Sequence, residues 1–181
     1  MTQRLYAVVV ILGPMHGTFQ TIDDLPAVRF ERRLSHPIDA VWRAVTEPDE
    51  LAAWFPDKVS GDLAPGGRIR FEGAGGAMQG EITELDPPHV FAFTWGPSDA
   101  LRIELEETGD GCLMRLTHML GSRDQAARDA AGWHVCLDRL ETALGGGDAT
   151  APSGEPTSEW RGHYEEYQRL GLPVGAPVPG D

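Results

Sequence analysis

Apolar and polar residues alternate along most of the chain, and the period changes at a few clear points. From Ala27 to Ser35, Val28, Phe30 and Leu34 fall on one face, with Arg29, Glu31 and Arg33 on the other, which predicts a half-buried strand. Pro37 to Thr46 places Ile38, Val41, Trp42 and Val45 at helical spacing, and Pro37 suits a first helical turn. Pro48 to Phe55 predicts a second short helix with Leu51, Trp54 and Phe55 on its apolar side. Period two then returns in five runs. They are centred on Ile69 and Phe71, on Met78 to Thr83, on Phe91, Phe93 and Trp95, on Leu101, Ile103 and Leu105, and on Met114, Leu116 and His118. Gly- and Pro-rich turn signals separate them, as in an antiparallel meander with one face covered. From Arg123 to Leu144, Ala126, Ala130, Trp133, Leu137, Leu140 and Leu144 form one helical stripe that ends at Gly145-Gly146-Gly147. Thr157 to Leu170 carries Trp160, Tyr164 and Tyr167 and predicts a last helix capped by Thr157 or Ser158.

This order predicts an α+β helix-grip architecture. A curved antiparallel sheet wraps a long C-terminal helix, with two short helices after the first strand. Three segments follow: an N-terminal extension over 1–26, a domain over 27–146, and a linker, short helix and loose tail over 147–181. Leu5 to Gly13 is apolar and follows Arg4. It reads as an extra strand, as residues ahead of a true start at Met15, or as a short signal-peptide core.

Composition narrows the functional classes. The chain has 181 residues and a formal charge of -13. A domain of this size buries roughly 70% of its unfolded surface and needs no staples. Its acidity disfavours nucleic acid and anionic membranes as partners. Cys112 and Cys136 have neither disulfide-framework nor zinc-site spacing and read as two buried thiols of a cytoplasmic protein. No apolar run reaches the roughly 18 residues of a membrane span. Arginine supplies all but one of the basic residues and Ala, Gly and Pro abound, which hints at a GC-rich bacterial genome.

The segments Phe30 to Pro37, Val41 to Leu51 and Trp54-Phe55, followed by Gly66-Gly67, Phe93-Thr94-Trp95 and Gly132-Trp133 with Leu137 and Leu140, resemble one family in their order. It is the activator of heat-shock-protein-90 ATPase homologue-like family of the SRPBCC (START-like) superfamily. The resemblance runs from about Val28 to Leu144. It implies the helix-grip fold with a cavity between sheet and long helix. It leaves function open, because the superfamily hosts carriers, receptors, cyclases and co-chaperone domains.

The chemistry-bearing residues point the same way. No phosphate loop, nucleophile elbow or metal-binding histidine motif is present, so no cofactor, metal or catalytic residue is expected. His118 falls in phase with Met114 and Leu116, which makes it a satisfied or rim histidine or an acid–base group. His134 falls beside the helical stripe and is expected to be part-exposed. Arg32 shares the inward face of Phe30. It must pair, with Glu84 as one partner, or anchor an acidic ligand group. Phe71, Met78, Phe91, Phe93, Trp95, Met114, Trp133 and Leu137 complete a candidate cavity lining with Arg32 and His118. The first functional expectation is a module, monomeric or homodimeric, that binds a small apolar or amphipathic molecule. The alternatives are a protein-interaction module for a chaperone, with a role in stress response, and a cyclase- or hydrolase-like enzyme using the same cavity.

Overall fold

The computed structural model describes residues 15–152 and 154–178. The reading of Leu5 to Gly13 lies outside the described residues. Eight strands form one antiparallel sheet in the order β1-β2-β8-β7-β6-β5-β4-β3. They are β1 (Thr18–Ile22), β2 (Leu25–Leu34), β3 (Lys58–Gly61), β4 (Arg68–Gly73), β5 (Gly76–Asp86), β6 (Val90–Trp95), β7 (Asp99–Thr108) and β8 (Gly111–Met119). Two short helices, α1 (Ile38–Thr46) and α2 (Pro48–Leu51), link β2 to β3. A single 3-10 turn at Arg123–Gln125 leads into the long helix α3 (Ala126–Leu144), and α4 (Ser158–Arg169) follows. The helix-grip α+β architecture expected from the sequence is the one observed.

Register explains which side chains meet. Phe91, Ile103, Leu116 and Phe30 lie in one row across β6, β7, β8 and β2, and Phe93, Leu101, His118 and Val28 lie in the next. These rows face the helices, and all eight residues are buried. The opposite face carries a lattice of ion pairs, including Arg115 with Glu31 and Glu106. Such exposed pairs contribute little to stability. Phe55 sits at the middle of the core, with Trp54, Phe71, Phe93, Trp95 and Trp133 all within 6.3 Å centroid to centroid.

The structure departs from the sequence reading at several points. β1 hairpins onto β2 through Asp23 and Asp24, both at positive φ, a backbone that aspartate tolerates and that two-residue hairpin turns favour. Glu84 does not pair with Arg32. The β5 register slips between Ile82 and Glu84, which sets Glu84 opposite Ala92 on the outer face, where it pairs with Arg102. His134 is only 5% exposed, because α4 covers it. Finally, the Pro/Gly-rich stretch from Leu172 to Ala176 is tied down. The Ala127 N–H donates to Pro173 O, the Ala176 N–H donates to Asp124 O, and Leu172 is buried.

The C-terminal segment is held by a polar knot. Tyr167 is buried, and its hydroxyl accepts from the Gly17 N–H at 2.9 Å and meets His134 Nδ1 at 2.9 Å. His163 of α4 stacks on His134 of α3 at 3.8 Å. The Thr157 hydroxyl caps α4 by accepting from the Trp160 N–H.

Candidate functional site

A cleft of about 670 Å³ opens at one end of the junction between the sheet and α3. Three elements build it. The ends of β5, β6, β7 and β8 supply Met78, Trp95, Asp99 and His118. Helix α3 supplies Asp129, Gly132, Trp133 and Cys136, of which Asp129 and Trp133 are one helical turn apart on one face. Thr150 to Pro152 and Gly154 to Trp160 form the outer wall. Gly132 leaves its part of the floor bare, since a Cβ there would be 3.9 Å from the Trp160 indole nitrogen.

A hydrogen-bonded chain fixes the inner end. Trp95 and Asp99 face each other across the β6–β7 hairpin, and His118 pairs with Leu101, two residues along from Asp99. The His118 ring therefore reaches diagonally to Asp99. Its Nε2 lies 2.8 Å from Asp99 Oδ2, and its Nδ1 accepts from the Trp133 indole N–H at 3.0 Å. An indole N–H can only donate, so Nδ1 carries no proton and Nε2 donates to the carboxylate. Asp99 Oδ1 also accepts from the Ser98 hydroxyl and the Gly121 N–H. Burial raises the Asp99 carboxyl, while the hydrogen bonds from His118, Ser98 and Gly121 lower it.

Both nitrogens of His118 are thus engaged, which leaves it no lone pair for a substrate. The arrangement orients Trp133 and Asp99. The Trp95 indole is anchored as well, through its N–H to Asp57 Oδ2 at 3.0 Å. Burial raises the Asp57 carboxyl, and that hydrogen bond lowers it in part.

Of the ten residues singled out in the sequence, Met78, Trp95, His118 and Trp133 line the cleft. Phe71, Phe91, Phe93, Met114 and Leu137 are buried in the core instead. Around Phe71, Phe91 and Phe93 the side chains close up until no space for a solvent molecule is left. The open volume is therefore at the end of the sheet–helix layer and beneath the C-terminal segment, rather than along the middle of the layer. Arg32 is 4% exposed and sits away from the cleft. Its guanidinium pairs with Glu141 at 3.1 Å and Asp138 at 3.9 Å, and lies over the Phe30 ring. Asp99, Asp129 and Trp160 complete the cleft without having been read as lining. Asp99 stands two residues after Pro97 of the Gly96-Pro97 turn signal, and Asp129 stands four residues before Trp133.

Two clusters bring ligand-type atoms within 4.8 Å of one another: Asp99, His118 and Asp129 in the cleft, and His134, Asp138 and His163 between α3 and α4. In the first, both His118 nitrogens are occupied by hydrogen bonds. In the second, the imidazoles stack face to face at 16° and Arg32 lies beside Asp138. Cys112 and Cys136 are free and buried. Burial pushes both thiols up, Cys136 furthest, so both stay protonated and unreactive. Among the described residues no helix is long and apolar enough to cross a membrane.

A family model described as Activator of Hsp90 ATPase homolog 1-like protein matches residues 35–145. No curated protein matches the chain. The fold is similar to the crystal structure of CalU16 from Micromonospora echinospora. The identity is 28% and the TM-score 0.70, over 85% of this chain and 94% of that one. EF2215 from Enterococcus faecalis shares the fold at 24% identity and a TM-score of 0.68, over 86% of this chain and 92% of that one. DynU16, a protein in the dynemicin biosynthetic locus, is 26% identical with a TM-score of 0.62. That match covers 68% of this chain and 49% of that one.

Proposed function

The chain belongs to the Activator of Hsp90 ATPase homolog 1-like family, and from that premise we propose that it is a small-molecule-binding module. Its ligand is apolar or amphipathic and occupies the cleft between the sheet end, α3 and the C-terminal segment. One observation carries this reading. The cleft has the volume of a drug-sized ligand site, and its walls are mainly apolar with a few convergent polar groups.

Trp95, Trp133 and Trp160 line the cleft, and Met78 adds an adaptable wall. Burial of apolar ligand surface contributes roughly 25 cal/mol per Å² before the costs of association. Asp99 and Asp129 orient the polar end. The engaged nitrogens of His118 favour binding over acid–base turnover at this residue.

Native mass spectrometry of protein taken directly from cells, run beside the denatured mass, tests the proposal. A discrete added mass that disappears on denaturation is expected, and it is expected to fall when Gly132→Leu fills the floor. Retention of the added mass in the Gly132→Leu protein would overturn the assignment of the cleft.

A further inference from the structure

We propose that the cleft selects ligands whose apolar or aromatic body carries a cationic group, a protonated amine or quaternary ammonium. This rests on the reading of the cleft as a ligand site and adds the charge of its occupant.

The argument starts from which polar groups remain available. Four carboxylates line the cleft, Asp99, Asp129, Glu155 and Glu159, against two guanidiniums, Arg128 and Arg139. Each guanidinium is already held by one of those carboxylates. Arg128 Nε donates to Asp129 Oδ1 at 2.7 Å, and Arg139 Nη2 donates to Glu159 Oε2 at 2.6 Å. Arg128 Nη1 further donates to Pro177 O. The negative charge on Asp99 and Glu155 is therefore in surplus. His118 does not cancel the charge on Asp99, since the Trp133 N–H at Nδ1 fixes its neutral tautomer.

The aromatic walls point to the same occupant. The indole N–H groups of Trp95 and Trp133 are turned into the protein, toward Asp57 and His118. These two residues therefore offer a ligand no hydrogen-bond donor. An anionic ligand would meet engaged arginines and no indole donor from either. A cation would meet aromatic faces beside a fixed carboxylate, the combination that recognises ammonium groups. The chain's charge of -13 adds a field that draws cations toward the surface.

Isothermal calorimetry with three probes of matched shape tests the proposal on the full chain. They are 2-naphthylmethyl-trimethylammonium, 2-naphthylmethanol and 2-naphthylacetate, at moderate salt. The cation is expected to bind about ten-fold more tightly than the carboxylate. Asp99→Asn is expected to weaken the cation several-fold and to narrow its advantage over the neutral probe. Glu155→Gln, on the exposed outer wall, is a second variant with the same expected direction. Equal or tighter binding of the carboxylate would overturn the charge assignment alone, as would an unchanged preference in both variants. Absence of binding by all three probes would overturn the reading of the cleft as a ligand site, and this inference with it.

Discussion

The indole N–H of Trp133 lies 3.0 Å from Nδ1 of His118, and this contact ties the long helix to the middle of the sheet. Both residues are buried, so the bond is protected from water. It also fixes the donor that His118 presents to Asp99. Removal of the imidazole leaves two polar groups in need of partners. His118→Leu leaves the Trp133 N–H unpaired in the interior and takes a donor from Asp99. The expected cost is about 2–3 kcal/mol, because buried groups left unsatisfied cost more than a hydrogen bond contributes. His118→Gln, which can accept and donate, is expected to recover part of that loss. Urea denaturation followed by tryptophan fluorescence measures both. A His118→Leu protein as stable as the parent would show that the chain from Trp133 to Asp99 is not a stabilising contact.

Gly132 stands inside α3, where glycine costs about 1 kcal/mol relative to alanine. A Cβ there makes only ordinary contact with Trp160. Gly132→Ala is therefore expected to raise the unfolding free energy by about 0.5–1 kcal/mol. Gly132→Leu is expected to lose ligand, because the longer side chain enters the cleft. The pair separates helix propensity from space, which thermal melts with and without a bound probe read directly. A Gly132→Ala protein less stable than the parent would mean that the bare floor is packed against, contrary to the geometry.

Much of the fold is legible in the sequence, because burial of one sheet face imposes period two and the covered side of a helix imposes period 3.6. The five strand runs from Ile69 to His118 and the stripe from Ala126 to Leu140 carry that signal strongly. The inward direction of His118 follows from phase with Met114 and Leu116. Its partner does not, since the approach of Asp99 depends on the β7–β8 register and Asp99 sits beside a turn. Arg32 reads correctly as an inward charge in need of pairing. Its partners lie on α3, at Asp138 and Glu141, because a bulge turns Glu84 outward. The outer wall of the cleft is the hardest part to read. Residues 150–152 and 154–157 have a linker's composition, and nothing periodic shows that they lie against α3.

Tyr167 is the peg that holds this C-terminal segment. Its hydroxyl accepts from the buried Gly17 N–H and lies 2.9 Å from His134 Nδ1, and burial pushes its own pKa up to about 12. Tyr167→Phe preserves the ring and removes both bonds. A loss of about 1–3 kcal/mol is expected, since the Gly17 N–H has no room to reach water. Hydrogen exchange at Gly17 and across α4 is expected to speed up in the variant. Unchanged exchange in α4 would mean that Trp160, Tyr164 and the tail hydrogen bonds suffice to hold the segment.

His134 makes stability depend on pH. Burial, reinforced by His163, Arg32 and His16 around the ring, pushes its pKa down to about 3 from an ordinary value of 6.5. The other groups facing it are Asp138, 3.9 Å from Nε2, and the Tyr167 hydroxyl. Because burial and these neighbours disfavour the charged form, the folded protein holds the ring neutral. The unfolded chain takes up a proton as pH falls below 6.5, while the folded chain does not until about 3. Stability from this group is therefore complete above pH 6.5 and declines as pH falls through that window. The slope approaches about 1.4 kcal/mol per pH unit for one proton. Urea titrations between pH 7.5 and pH 4.5 are expected to show this decline in the parent. They are expected to show a shallower one in His134→Gln, which cannot take up a proton in either state. Parallel slopes for the two proteins would assign the acid sensitivity to the carboxylates instead.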